Sequence, residues 1–115
     1  MESKLLCFYS NVGPNCCYSF KPPVHSKIII YGFGPYGEYG FTDLFNSCEI
    51  LDIYDMNFNN YGKKIKSPEF VNAHTFDYIL VTVMNKDARN NVLKFLKNKG
   101  IDENKIIYIE YLNNV

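Results

Sequence analysis

The sequence has no excess of charge of either sign: twelve basic residues stand against twelve acidic ones. With no net field to draw the chain toward a polyanion, neither nucleic acid nor an anionic membrane surface is expected as a partner. No apolar run approaches the roughly 18 residues that span a bilayer, and the start, with Glu2, shows no basic leader followed by a long apolar stretch. The expectation is a cytoplasmic protein with no membrane partner. The four cysteines, Cys7, Cys16, Cys17 and Cys48, form no Cys-x-x-Cys unit, and only His25 and His74 could complete a metal site. No zinc site is expected. The adjacent Cys16 and Cys17 are a formal redox pair, but the thiols read as buried or idle in a reduced compartment. There is also no Tyr-x-x-x-Lys pair. His25 lies in a proline-containing linker and His74 just before a strand, so no acid–base dyad is assigned.

What is present is an ordinary globular balance, 47% apolar and 21% charged over 115 residues. A chain of that length buries roughly two-thirds of its unfolded surface, enough for one core but not for an added substrate domain. Residues 1–26 read as an N-terminal extension: a short strand at 5–9, a turn cluster at 10–15, a return strand at 16–20, and then the linker Lys21-Pro22-Pro23-Val24-His25-Ser26. The residues leave open whether this hairpin belongs to the domain or is the tail of something larger.

Residues 27–115 are regular. Ile28-Ile29-Ile30-Tyr31 is the β-branched run of a strand covered on both faces. A helix is expected over 36–46, with Tyr39, Phe41, Leu44 and Phe45 facing the core despite Gly40. A second strand covers 49–54, and 56–71 reads as a loop holding a short strand. A third buried strand covers 76–83. It leads into a helix over about 86–98, closed by Gly100, whose Val92, Leu93, Phe95 and Leu96 share one side. A fourth strand covers 106–109. The pattern predicts an α/β fold, a Rossmann-like three-layer sandwich around a parallel sheet of about four strands in the order 3-2-1-4.

The chemistry-bearing stretch is Gly32-Phe33-Gly34-Pro35-Tyr36-Gly37, a Gly-x-Gly-x-x-Gly that follows a strand directly and opens a helix. In that setting Gly32 permits the tight turn, Gly34 lets a phosphate approach the backbone, and Gly37 allows close helix–strand packing, with the helix N-terminus holding the anion. Pro35 removes one N–H from that cradle but suits a first helical turn. Asp55 ends the next strand, about 20 residues on, where it would hold a ribose hydroxyl and disfavour a 2′-phosphate. Asn57 is a second candidate there. The alternatives are a structural turn in a flavodoxin-like sheet without nucleotide, and an Asp55 that merely caps a turn with Asn57. On the other side of the crevice, Asn85 is an N-cap that could also bind ligand, and Arg89 either pairs with a phosphate or is a solvated surface residue.

Together with Asn60-Tyr61-Gly62-Lys63-Lys64-Ile65, Phe76-Asp77-Tyr78-Ile79-Leu80-Val81 and the helix ending at Gly100-Ile101, these residues resemble a known family pattern. It is that of the small Rossmann-like domain at the front of bacterial sugar acyltransferases and polysaccharide-biosynthesis epimerases and dehydratases; a similar domain closes some sugar C-methyltransferases. The resemblance covers 27 to about 110. It implies a nucleotide-sugar site in which Gly32, Gly34, Gly37 and Asp55 carry over, with Asn57, Asn85 and Arg89 as weaker candidates. The left-handed β-helix repeats of the acyltransferases are absent, so transferase activity is not implied, and Pro35-Tyr36 replaces smaller residues in the loop.

The functional expectation is a domain binding a small-molecule nucleotide ligand, NAD or a UDP-sugar, in sugar or surface-polysaccharide metabolism, without complete catalytic machinery of its own. Its partner would be a second copy or a sugar-modifying enzyme. The alternatives are a small NAD-dependent oxidoreductase or sugar-modifying fragment, and an assembly protein that kept the fold but lost the ligand. For the last, ten tyrosines and nine phenylalanines could cover a partner surface, although such residues are more often core.

Overall fold

A computed structural model describes residues 16–62 and 64–111. The expected strand at 5–9 and turn cluster at 10–15 lie outside the described residues. In chain order the described elements begin with strands β1 (Cys16–Tyr18) and β2 (Lys27–Tyr31), helix α1 (Pro35–Leu44) and strand β3 (Glu49–Tyr54). The two-residue strand β4 (Ile65–Lys66), β5 (Tyr78–Val81), helix α2 (Lys86–Asn98) and β6 (Ile106–Tyr111) follow. Short 3-10 turns cover Phe58–Asn60, Pro68–Phe70 and Glu103–Lys105.

The strands form one sheet in the order β1-β6-β5-β2-β3-β4. β2 pairs parallel with both β3 and β5, β3 with β4 and β5 with β6, whereas β1 runs antiparallel to β6 with Cys17 opposite Glu110. This corrects the expected four-stranded parallel Rossmann-like sandwich. Among the described residues the sheet is mixed, has six strands and carries two helices, and the strand within 76–83 lies beside β2 rather than outside β3. Burial explains that position. Ile79, Leu80 and Val81 are fully buried, which requires hydrogen-bonded neighbours on both edges and cover on both faces; the order 3-2-1-4 would have left this strand at an edge. The edge beside β3 instead goes to β4, whose two residues include Lys66, half exposed and paired with Asp52. A short, charged strand is a normal edge.

The two faces bury separate clusters. Ile28, Ile30, Leu80, Ile107 and Ile109 meet Leu44 of α1, and Ile29, Tyr31, Ile79, Val81 and Ile106 meet Leu96 of α2. Alternation along β2 and β5 sends successive side chains to opposite clusters, so each strand is apolar throughout.

Helix α1 corrects a second expectation. Tyr39 and Phe45 are 40% and 53% exposed, while the buried stripe is Gly37, Gly40 and Leu44. A Cβ at Gly40 would lie 2.6 Å from Leu80 Cδ2, so the missing side chain is what lets the helix axis approach β5. Tyr39 and Phe45 fall off that i, i+3, i+7 stripe. Helix α2 matches its expected span. Asn85 Oδ1 accepts the Ala88 N–H at 3.0 Å, Leu96 is buried, and Gly100, with φ +83°, turns the chain so that the Ile101 N–H donates to Leu96 O.

Candidate functional site

After β2 the chain passes through α1 to β3 on one side, while β5 takes the place on the other side of β2. The connections leave β2 and β5 in opposite directions, which opens a crevice beyond their carboxyl ends. The glycine loop and the start of α2 border it.

The loop is built from the strand outward. Gly32 has φ +105°, and a Cβ there would meet Thr82 Oγ1 at 2.3 Å. Its N–H donates to Tyr54 O at 2.7 Å, and the buried Thr82 hydroxyl lies 3.1 Å from Tyr31 O and 2.9 Å from Gly32 O. Gly37 closes the other end, since its Cβ would lie 2.2 Å from Gly32 O. Both glycines are thus required by packing. Gly34 differs: nothing lies within 4 Å of the Cβ it lacks, and it caps α1 with no side-chain hydrogen bond. Pro35 follows at the first helical position, and the Glu38 N–H makes the first helical bond, to Gly34 O. The amides of Tyr36 and Gly37 therefore start the helix without an intrahelical acceptor.

Asp55 is wired into this loop. One carboxylate oxygen accepts the Phe33 N–H at 2.7 Å and the other accepts the Asn57 N–H, also at 2.7 Å. The structure therefore joins the acidic residue to the glycine loop across 22 positions and also shows the Asp55–Asn57 turn contact. Phe33 also packs edge-on against Tyr61, with ring centroids 5.9 Å apart. Tyr36 turns its ring onto Tyr39 and Tyr111 and shares a 2.8 Å hydroxyl–hydroxyl hydrogen bond with Tyr111. That bond, with burial and the nearby Cys16 thiol, pushes the Tyr36 phenol up to about 12.

Beside the loop, under α2, lies a cavity of about 520 Å³. Tyr31, Val83, Val92 and Phe95 form apolar walls, and Asp55, Asn57 and Asn91 supply polar groups. Burial first, and the Asp55 charge second, raise the Tyr31 phenol above its ordinary range. The protein thus presents a mostly apolar chamber with a few convergent polar groups, the usual form of a small-molecule site.

The two candidates at the start of α2 fare differently from the loop. Asn85 serves as the cap of α2. Arg89 does not face the cavity: its Nε donates to Val83 O at 3.1 Å, Nη2 donates to Ile109 O at 2.9 Å, and the guanidinium stacks over Tyr108 and pairs with Glu110 at 3.8 Å. It bolts α2 to β6, which replaces both the phosphate-partner and the solvated readings. Residues not singled out as site candidates from the sequence are Thr82, Asn91, Val92 and Phe95. Thr82 had a signal, because a lone hydroxyl in an apolar strand run has to find an acceptor. The cavity walls on α2 had none, as a wall residue and a core residue share the same spacing.

Cys16 and Cys48 are buried free thiols, and burial raises the Cys16 thiol. Cys17 is disulfide-bonded, which corrects the expectation of idle thiols for that residue. Among the described residues no group of three His, Cys, Asp or Glu side chains could hold a metal, and no helix is long and apolar enough to cross a membrane.

A family model described as C2185-like, N-terminal, covers residues 24–107. No curated protein and no solved structure matches the chain. The matched span runs from the turn before β2 into β6 and takes in the loop, Asp55 and the cavity, so the chain belongs to the C2185-like N-terminal family.

Proposed function

We propose that this domain binds a nucleotide-containing small molecule, of the sugar-nucleotide or NAD type, in the crevice beyond β2 and β5, and that it acts as a binding module. The observation that carries the reading is Gly34, an open glycine at the uncapped start of α1, in the loop whose Gly32 lines a ligand-sized cavity together with Asp55. A phosphate over Gly34 would meet helix-start amides and the positive end of the helix dipole. With Arg89 hydrogen-bonded to Val83 O and Ile109 O, the amides carry that interaction without its guanidinium. Each Asp55 oxygen already accepts one backbone N–H, but a carboxylate has about four lone-pair sites, leaving room for a ribose hydroxyl. The likeness of residues 27 to about 110 to the front domain of sugar acyltransferases supports the sugar-nucleotide class, and with it a place in sugar or surface-polysaccharide metabolism.

A thermal-shift panel of NAD, NADP, UDP-sugars and S-adenosylmethionine tests the reading. A ligand at about 100 times its Kd adds roughly 2.7 kcal/mol to the folded state, and NADP is expected to give less than NAD. Gly34→Val places a side chain where nothing lies within 4 Å, so the variant folds normally and its response to a phosphate-bearing ligand shrinks. No shift with any ligand, or an unchanged response in Gly34→Val, overturns the proposal.

A further inference from the structure

The cavity is the feature of the crevice least suited to charge. Among the described residues that line it, none is basic, and its one acidic group is the Asp55 carboxylate. Arg89 of α2 points Nε at Val83 O and Nη2 at Ile109 O instead. A phosphate in this chamber would face a carboxylate and apolar walls with no counter-charge, a costly burial. An uncharged ring meets the opposite conditions: Val83, Val92 and Phe95 offer apolar contact, and the side-chain amides of Asn57 and Asn91 offer both donors and acceptors. The volume of about 520 Å³ lies within the ~300–1,000 Å³ of small-molecule sites.

We propose that this cavity seats the uncharged ring and ribose of the ligand, and that a neutral nucleoside without any phosphate is sufficient to fill it. The inference rests on the nucleotide reading above and goes further: affinity resides in the nucleoside, while the helix start adds a weaker contact to whatever the nucleoside carries. A hydroxyl of the ribose donates to Asp55, and the apolar walls cover one side of the ring. The binding that results owes little to ion pairing, and salt does not screen it.

Titration calorimetry on the intact chain separates the outcomes, using adenosine, AMP and NAD as one series and uridine, UMP and UDP-glucose as the other. In the series that binds, the nucleoside is expected within about tenfold of its phosphorylated forms, and its Kd should stay within about twofold between low and high salt. Ala88→Leu, which extends a side chain from the lining of the cavity, should weaken nucleoside and nucleotide alike by at least about tenfold. Gly34→Val should spare the nucleoside. A nucleoside more than about 100-fold weaker than its nucleotide, or an Ala88→Leu variant that is folded by circular dichroism and binds normally, overturns the inference while the nucleotide reading stands. No binding in either series overturns both.

Discussion

The two helices start in opposite ways. At α2, Asn85 caps the first turn by accepting the Ala88 N–H with its own side chain, and the Arg89 guanidinium is spent on two backbone carbonyls. At α1 the cap is a glycine with empty space beside it, the first helical residue is a proline, and no side chain reaches the free amides. Both helices follow a strand of the same sheet and border the same crevice. The difference teaches that a helix start is informative about function when it is left unfinished. α2 is built for stability, and α1 gives some up.

The largest test of that contrast is on α1's packing. Gly37→Ala would put a Cβ 2.2 Å from Gly32 O, which is backbone and cannot swing aside. The loop and helix must then separate, at about 3 kcal/mol. Chemical denaturation should show that loss. A variant as stable as the parent would mean that the loop is loose and that Gly37 has no packing role. Next comes Arg89→Leu, which keeps apolar bulk beside Tyr108 but removes the donors to Val83 O and Ile109 O. Hydrogen bonds to a charged group contribute about 1.5–3 kcal/mol, so stability should fall by about 2 kcal/mol while the thermal shift given by a ligand stays the same size. A lost ligand response with stability intact would put Arg89 in the site and break the contrast. Asn85→Ala should cost about 1 kcal/mol through the lost cap, again with the ligand response preserved.

Much of this was legible in the sequence because it is local. The runs at 27–31, 49–54 and 106–109 carry their own strand signature, and the helix over 86–98 carries both a cap residue and a closing glycine. Strand order was not local. It depends on which strand must be covered on both edges, and the 78–81 run is buried on every side only because β6 and β2 flank it. The same holds for side chains. That Asp55 stands about 20 residues after the loop was readable, but that its oxygens bind Phe33 and Asn57 amides depends on the register of β2 against β3. Arg89 looked like a crevice residue because its acceptor, Ile109 O, comes from a strand 20 positions further on. Tyr39 and Phe45 looked like core because apolar residues usually are, yet in α1 two glycines took the buried stripe and displaced them.

The smallest expected effect on stability is the sharpest on function. Gly34 has φ −81° and ψ −159°, an extended conformation that any residue before a proline can adopt, and the space beside it is open. Gly34→Asn therefore introduces a good cap without strain, and its side-chain oxygen can accept the amides at the start of α1 just as Asn85 does at α2. Since glycine is itself a fair cap, the gain is only a few tenths of a kcal/mol. What changes is the vacancy: the amides that would meet a phosphate now have an internal partner, and the start of α1 becomes a copy of the start of α2. A nucleotide should then lose the part of its affinity that its nucleoside lacks, so that in calorimetry the two converge. If the nucleotide keeps its advantage over the nucleoside in this variant, the amides of α1 were never the phosphate contact, and the unfinished helix start is a feature of packing alone.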